Sequence, residues 1–222
     1  MDIVATIIPI SAVIILGWFA RVRGFIPSEF LGPANRLVYY IAIPAMIFRS
    51  ISRSSFTSQF NIKVLLITLF SILIIFGFAW CAGFIARIRR EQMSAFVHDS
   101  FHGNLGYIGL AVAYYFLGTE GLARASIIAG FMMILQNFLG VIVLALYSGD
   151  KSVKEGKWHI ALKIMRNPII LSVIAGMIFS ISEIPMPLII NRSLDILSGL
   201  ALPMALLIIG GSLSFKLMRL NM

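Results

Sequence analysis

The chain has 222 residues, of which 59% are hydrophobic and 12% charged, against about 25% charged in a soluble domain. Its net charge of +9 would suggest nucleic acid in a soluble protein. Here Lys and Arg gather at the ends of apolar runs, where they set membrane topology, and nucleic acid is excluded as a partner. Mean hydropathy is +0.97, and several runs reach the roughly 20 residues that a helix needs to cross a bilayer. The runs do not alternate apolar with polar residues as a membrane β-barrel must. The class that remains is an all-α integral membrane protein.

Seven spans follow in chain order. Span 1 is Ile3–Ala20, uncharged, with Pro9 and Gly17 inside it. It lacks the basic start and small-residue cleavage site of a signal peptide and is expected to stay in the membrane. Span 2 is about Ala34–Ile51, centred on Pro44. Span 3 is Val64–Ala86, closed by Arg87, Arg89 and Arg90. It holds Cys81, the single cysteine, which has no internal disulfide partner and reads as a small core hydrophobe. Span 4, about Ala95–Leu117, is unlike the others, with His98, Asp99, His102, Gly103, Asn104, Gly106 and Gly109 in one run. Span 5 is Ala125–Tyr147, carrying Gln136 and Asn137. A basic loop over 148–167 leads to span 6, from near Pro168 to near Ile181, and then to span 7, Ile196–Phe215, with Pro203. With the N-terminus outside, thirteen Lys and Arg fall on inside segments and five on outside ones. This split predicts an N-out chain in a bacterial inner membrane with residue 222 on the cytoplasmic side.

Spans 1–2 resemble spans 6–7. A single offset of 159 carries Pro9 onto Pro168, Gly17 onto Gly176 and Pro44 onto Pro203, and "IAIPAMIF" faces "LALPMALL". Copies five spans apart are inverted in the membrane, as in many secondary transporters. Residues 1–147 then form a first five-helix repeat and 168–222 the start of a second. Counterparts of spans 3, 4 and 5 fall beyond Met222, so the chain reads as the first seven helices of a ten-helix protein, either a fragment or a natural truncation.

The "HGNLGYIGL" of span 4, the "NPIIL" opening span 6 and the "LALPMALLIIGGSL" of span 7 resemble, as an ordered set, the auxin efflux carrier family. That family includes bacterial carriers assigned to malate and malonate. The resemblance implies a ten-helix, five-plus-five inverted-repeat fold like that of the sodium–bile acid symporters, with the fourth helix of each repeat broken at mid-membrane. The family's proline after the span 4 glycines is replaced here by Ala111, so the break would rest on Gly103, Gly106 and Gly109.

The chemistry-bearing candidates cluster in spans 4 and 5. The Asn104 amide offers donors and an acceptor, able to bind a carboxylate or a cation beside backbone freed at a broken helix; a helix–helix hydrogen bond is the structural alternative. Gly103, Gly106 and Gly109 permit unwound backbone, tight packing, or both. Gln136 and Asn137 are expected to face the bundle interior and to contact span 4. Asp99 is a candidate for a coupling ion and also fits a solvated cap. Pro44 and Pro203 are expected to kink their helices and are candidates for gating. His98 and His102 have a metal-compatible spacing, but the one further histidine, His159, lies in a distant loop, so no metal and no cofactor beyond a coupling H+ or Na+ is expected.

Four functions compete. A secondary carrier of a small organic anion (malate, malonate or an auxin-like carboxylate), alternating access around the broken helix, explains the repeat and the broken span. A transport-inactive remnant of such a carrier is the alternative. A seven-helix photoreceptor would need a mid-membrane Lys in span 7. An enzyme lacks HExxH, GxSxG and paired intramembrane carboxylates. The partners expected are the anion and the bilayer, and a homodimer is compatible with the sequence.

Overall fold

The computed structural model describes residues 3–53, 60–147 and 166–213. All regular structure among them is helical. Helix α1 is Ile3–Val22, α2 is Ser28–Leu37, and a π-helical turn over Val38–Ala42 leads into α3, Ile43–Ser52. Helix α4 is Ile62–Ile85, α5 is Arg90–Phe101, and a second π-helical turn, Leu105–Gly109, opens α6, Leu110–Tyr147. Helices α7, Pro168–Ser182, and α8, Leu188–Ser212, complete the bundle. The basic loop over 148–165, with His159, and Phe215 lie outside the described residues.

Helices α1, α4 and α8 and the Arg90–Leu144 stretch are each long and apolar enough to cross a bilayer. Helix α7 is apolar but shorter. The helices of spans 2 and 4 start earlier than the sequence reading has them, at Ser28 rather than Ala34 and at Arg90 rather than Ala95, and two further boundaries differ. Helix α8 starts at Leu188 rather than Ile196, because Asn191 and Asp195 are taken up by Arg53 (2.6 Å) and Arg49 (2.5 Å) and need no loop to solvate them. Spans 4 and 5 are joined by one non-helical residue, Gly118, with φ 71° and ψ −162°. That backbone region is essentially reserved for glycine, so a single residue replaces a loop.

The prolines act differently. Pro44 sits in the first turn of α3 and has no N–H to donate. Immediately before it the helix widens, and Ile43 N–H reaches the Val38 carbonyl five residues back. Pro203 lies inside an uninterrupted α8.

Close packing falls on small residues, as expected where lipid supplies no hydrophobic drive between helices. A Cβ on Gly210 would collide with the Ile14 carbonyl oxygen, and one on Gly17 with that of Leu207, so α1 and α8 meet backbone to backbone. A Cβ on Gly176 of α7 would stand 3.0 Å from Ile51 Cβ and 3.3 Å from the Phe48 carbonyl of α3. Helix α4 buries Leu65, Ile72 and Ala79, one every seven residues, as a narrow seam. Its Phe70 and Phe78 are exposed, as befits a lipid-facing side. Left-handed backbone closes α1 at Gly24 (φ 79°) and α7 at Glu183 (φ 53°).

Candidate functional site

The break in span 4 falls at His102–Asn104, between α5 and the π-helical turn. A break in a bilayer strands backbone groups that lipid cannot satisfy, and local side chains take up some of them. Asn104 Oδ1 accepts from Tyr107 N–H at 3.1 Å, capping the second half-helix. Buried Gln136 donates from Nε2 to the Phe101 carbonyl at 2.8 Å, closing the end of the first. Gly109 N–H reaches back to the Asn104 carbonyl at 3.1 Å.

A cavity of about 370 Å³ opens at this break. Gly103, Asn104 and Gly106 line it from span 4, and Gln136 and Asn137 from α6. Five of the seven residues singled out for binding thus converge. Gly109 does not line it, and neither does Asp99, whose side chain is 81% exposed and sits 3.3 Å from His98 Nδ1. The glycines divide by role. A Cβ on Gly103 meets open space, whereas one on Gly106 would press on Met133 Cε at 3.3 Å and Ile169 Cδ1 at 3.6 Å. Ala111, in the place of the family's proline, is fully buried just beyond the π-helical turn.

Seven liners lay outside the predicted binding set: the apolar Leu105, Met133 and Ile169, and the polar Tyr39, His102, Tyr107 and Asn167. Asn167 caps α7, its Oδ1 accepting from Ile169 N–H at 2.9 Å and Ile170 N–H at 3.5 Å. The Tyr39 hydroxyl is in hydrogen-bonding contact with the Asn167 side chain. An Asn followed by Pro is a helix-start signal, and it would have found Asn167. The cavity therefore stands at two asparagine-capped helix N-termini, each presenting partial positive charge. Among the described residues no Lys, Arg, Asp or Glu lines it.

A second cavity, of about 630 Å³, lies further along the same elements. Arg49 and Arg53 of α3 and its C-cap, Thr119 and Glu120 of α6, and Asp195 and Pro203 of α8 line it. Between the two linings sit Ala42 and Ile43 at the start of α3 and Leu110 and Ala111 at the start of α6, none more than 1% exposed. Among the described residues no cluster of three His, Cys, Asp or Glu could hold a metal. His98 and His102 stack face to face, their ring centroids 4.5 Å apart, which does not aim two nitrogens at one point.

An all-helical chain of bilayer-length apolar helices, with a polar cavity at a broken helix, has the architecture of a membrane transporter. The family described as membrane transport protein matches residues 2–222. The chain belongs to that family, the one whose auxin efflux carriers its motifs resemble. It is 27% identical to an uncharacterized transporter of Methanocaldococcus jannaschii, the match covering 99% of this chain and 70% of that protein. It is 26% identical to a protein of Rhizobium meliloti (strain 1021) provisionally named a malonate transporter, covering 97% and 68%. An uncharacterized transporter of Methanothermobacter thermautotrophicus is 25% identical, with 96% and 69% covered. The family and these relatives are membrane transporters, not enzymes.

Proposed function

We propose that the chain works as a secondary carrier of a small organic anion, a carboxylate of the malonate or malate kind, held at the Asn104 cavity. The observation that carries this reading is the meeting of two helix N-termini, capped by Asn104 and Asn167, in one cavity. Carboxylates are stabilised by such termini. The name of the Rhizobium meliloti relative points the same way. Alternating access is supported by the two cavities, which a fully buried band separates.

The inverted repeat has support that the proline spacing did not supply. The offset of 159 that carries Gly17 onto Gly176 also carries Phe48 onto Leu207. Gly17 packs on the Leu207 backbone, and Gly176 packs on the Phe48 carbonyl. The partners exchange as a two-fold axis requires. The same offset carries the left-handed Gly24 onto the left-handed Glu183. It also brings the run Ser28–Ser52 to within one residue of the 25-residue α8 at both ends. The fold proposed is therefore five-plus-five, with the N-terminus outside the bacterial inner membrane.

The test is uptake of labelled malonate into vesicles from cells expressing the protein. Asn104→Ala removes the cap and the amide and should strongly weaken uptake while membrane insertion stays normal. Asn104→Asp keeps a cap but adds negative charge, and should hurt an anion more than the alanine does. Wild-type uptake in both variants, at equal expression, would leave Asn104 as helix–helix glue.

A further inference from the structure

We propose that the stacked imidazoles of His98 and His102 form a single-proton site that loads together with the anion, so that the coupling ion is a proton rather than sodium. This rests on the anion reading of the Asn104 cavity. The two residues are one turn apart at the end of α5, with ring centroids 4.5 Å apart and planes 21° from parallel. Two imidazolium cations at that spacing repel, so the stack holds one proton at a time rather than two.

Asp99 Oδ1 lies 3.3 Å from His98 Nδ1. Helix α6 faces the pair with neutral groups: Gly140, on which a Cβ would stand 3.1 Å from the His98 ring, and Gln136 and Asn137. Phe101 lies edge-on to both rings, and behind it α4 contributes Phe76. Across the cavity stand Tyr39 and Tyr107, and among the described residues no Lys or Arg lines it.

His102 is two residues from Asn104 and lines the same cavity. An anion bound there raises the proton affinity of the adjacent ring, and a proton on that ring raises the affinity for the anion by the same factor. Imidazole changes charge between about pH 5 and 8, which suits a coupled proton.

The experiment uses vesicles holding the protein, with malonate as probe. It measures uptake driven by an inward proton gradient, uptake driven by a sodium gradient, and gradient-free counterflow of labelled against unlabelled malonate. The readout is the ratio of driven uptake to counterflow, which cancels changes in expression. For the wild type an inward proton gradient should raise this ratio roughly tenfold, a pH dye should report protons entering with malonate, and a sodium gradient should do nothing. The His98→Gln, His102→Gln double variant should show no proton drive. Should the double variant not assemble, His98→Gln decides. The pH of half-maximal drive must move when the ring at 102 loses its stacked neighbour, and an unmoved midpoint overturns the proposal. Counterflow with sodium drive, or proton drive surviving in the double variant, overturns the proton site alone. No exchange of malonate, malate or indole-3-acetate by the wild type overturns the anion reading with it.

Discussion

The glycines between the paired helices give a graded test of the scaffold. At Gly210 an added Cβ would overlap the Ile14 carbonyl oxygen, and the next atoms, Ile14 C and Trp18 N, would be at 2.8 Å. Ordinary contact starts at 3.4 Å, so even these are 0.6 Å too close. Both surfaces are backbone, and no side chain can rotate away. One helix must move, which puts Gly210→Ala at the upper end of overpacking costs, about 3 kcal/mol. Gly17→Ala meets the Leu207 backbone in the same way. Gly176→Ala meets Ile51 Cβ at 3.0 Å and should cost less, about 1 kcal/mol. Gly77, in the middle of α4, has nothing within 4 Å, and Gly77→Ala should stabilise by about 0.5 kcal/mol through helix propensity. Thermal unfolding in detergent measures the series. At about 2–4 °C per kcal/mol for a protein of this size, Gly210→Ala should melt roughly 6–12 °C below wild type. If Gly210→Ala melts with or above Gly77→Ala, the backbone contact between α1 and α8 is not present in the folded protein.

Two further outcomes are expected. Gln136→Leu strands the Phe101 carbonyl and should cost about 1–3 kcal/mol as well as uptake, whereas Asn137→Ala should lower uptake and leave the melting temperature in place; paired thermal and uptake assays separate them. A reporter active only in the cytoplasm should work when fused between residues 150 and 160 and fail when fused near Thr119, and the reverse pattern would refute the N-out topology.

The sequence carried the helical class, and most helix positions, because an apolar run with basic ends has few readings in a bilayer. Helix α1 was expected over Ile3–Ala20 and runs Ile3–Val22; α4 was expected over Val64–Ala86 and runs Ile62–Ile85. The start of α8 was misjudged because Asn191, Arg192 and Asp195 look like loop residues until Arg49 and Arg53 are brought beside them by a helix far away in sequence. The join at Gly118 was hidden for the opposite reason: one glycine with an unusual φ leaves no compositional trace. At the site, hydropathy and glycine spacing brought out Gly103, Asn104, Gly106, Gln136 and Asn137, all on spans 4 and 5. Tyr39 reaches the cavity from α3's preceding turn and Asn167 from the start of α7. Only tertiary packing brings those elements together.

Among the described residues no charged side chain lines the Asn104 cavity, which fits the carrier proposed. A Lys or Arg there would bind a carboxylate tightly, but the empty carrier would then have to return across the membrane with an uncompensated charge at high desolvation cost. Helix termini avoid this. Their partial charges are fixed in the backbone, and with no anion present Asn104 and Asn167 occupy part of the exposed N–H groups with their own oxygens. In the proposed cycle the arriving carboxylate meets a site that is already polarised and that carries no net charge when vacant. A protonated His98–His102 pair would supply the missing full charge only while the anion is aboard. Loaded with one proton and a dicarboxylate such as malonate, the cavity gains one negative charge rather than two. Emptied of both, it returns to the neutral state from which it began. Arginines fit better at the second cavity, where Arg49 is already paired with Asp195 and Arg53 donates to the neutral Asn191. There they can attract anions without having to release them from the binding cavity itself.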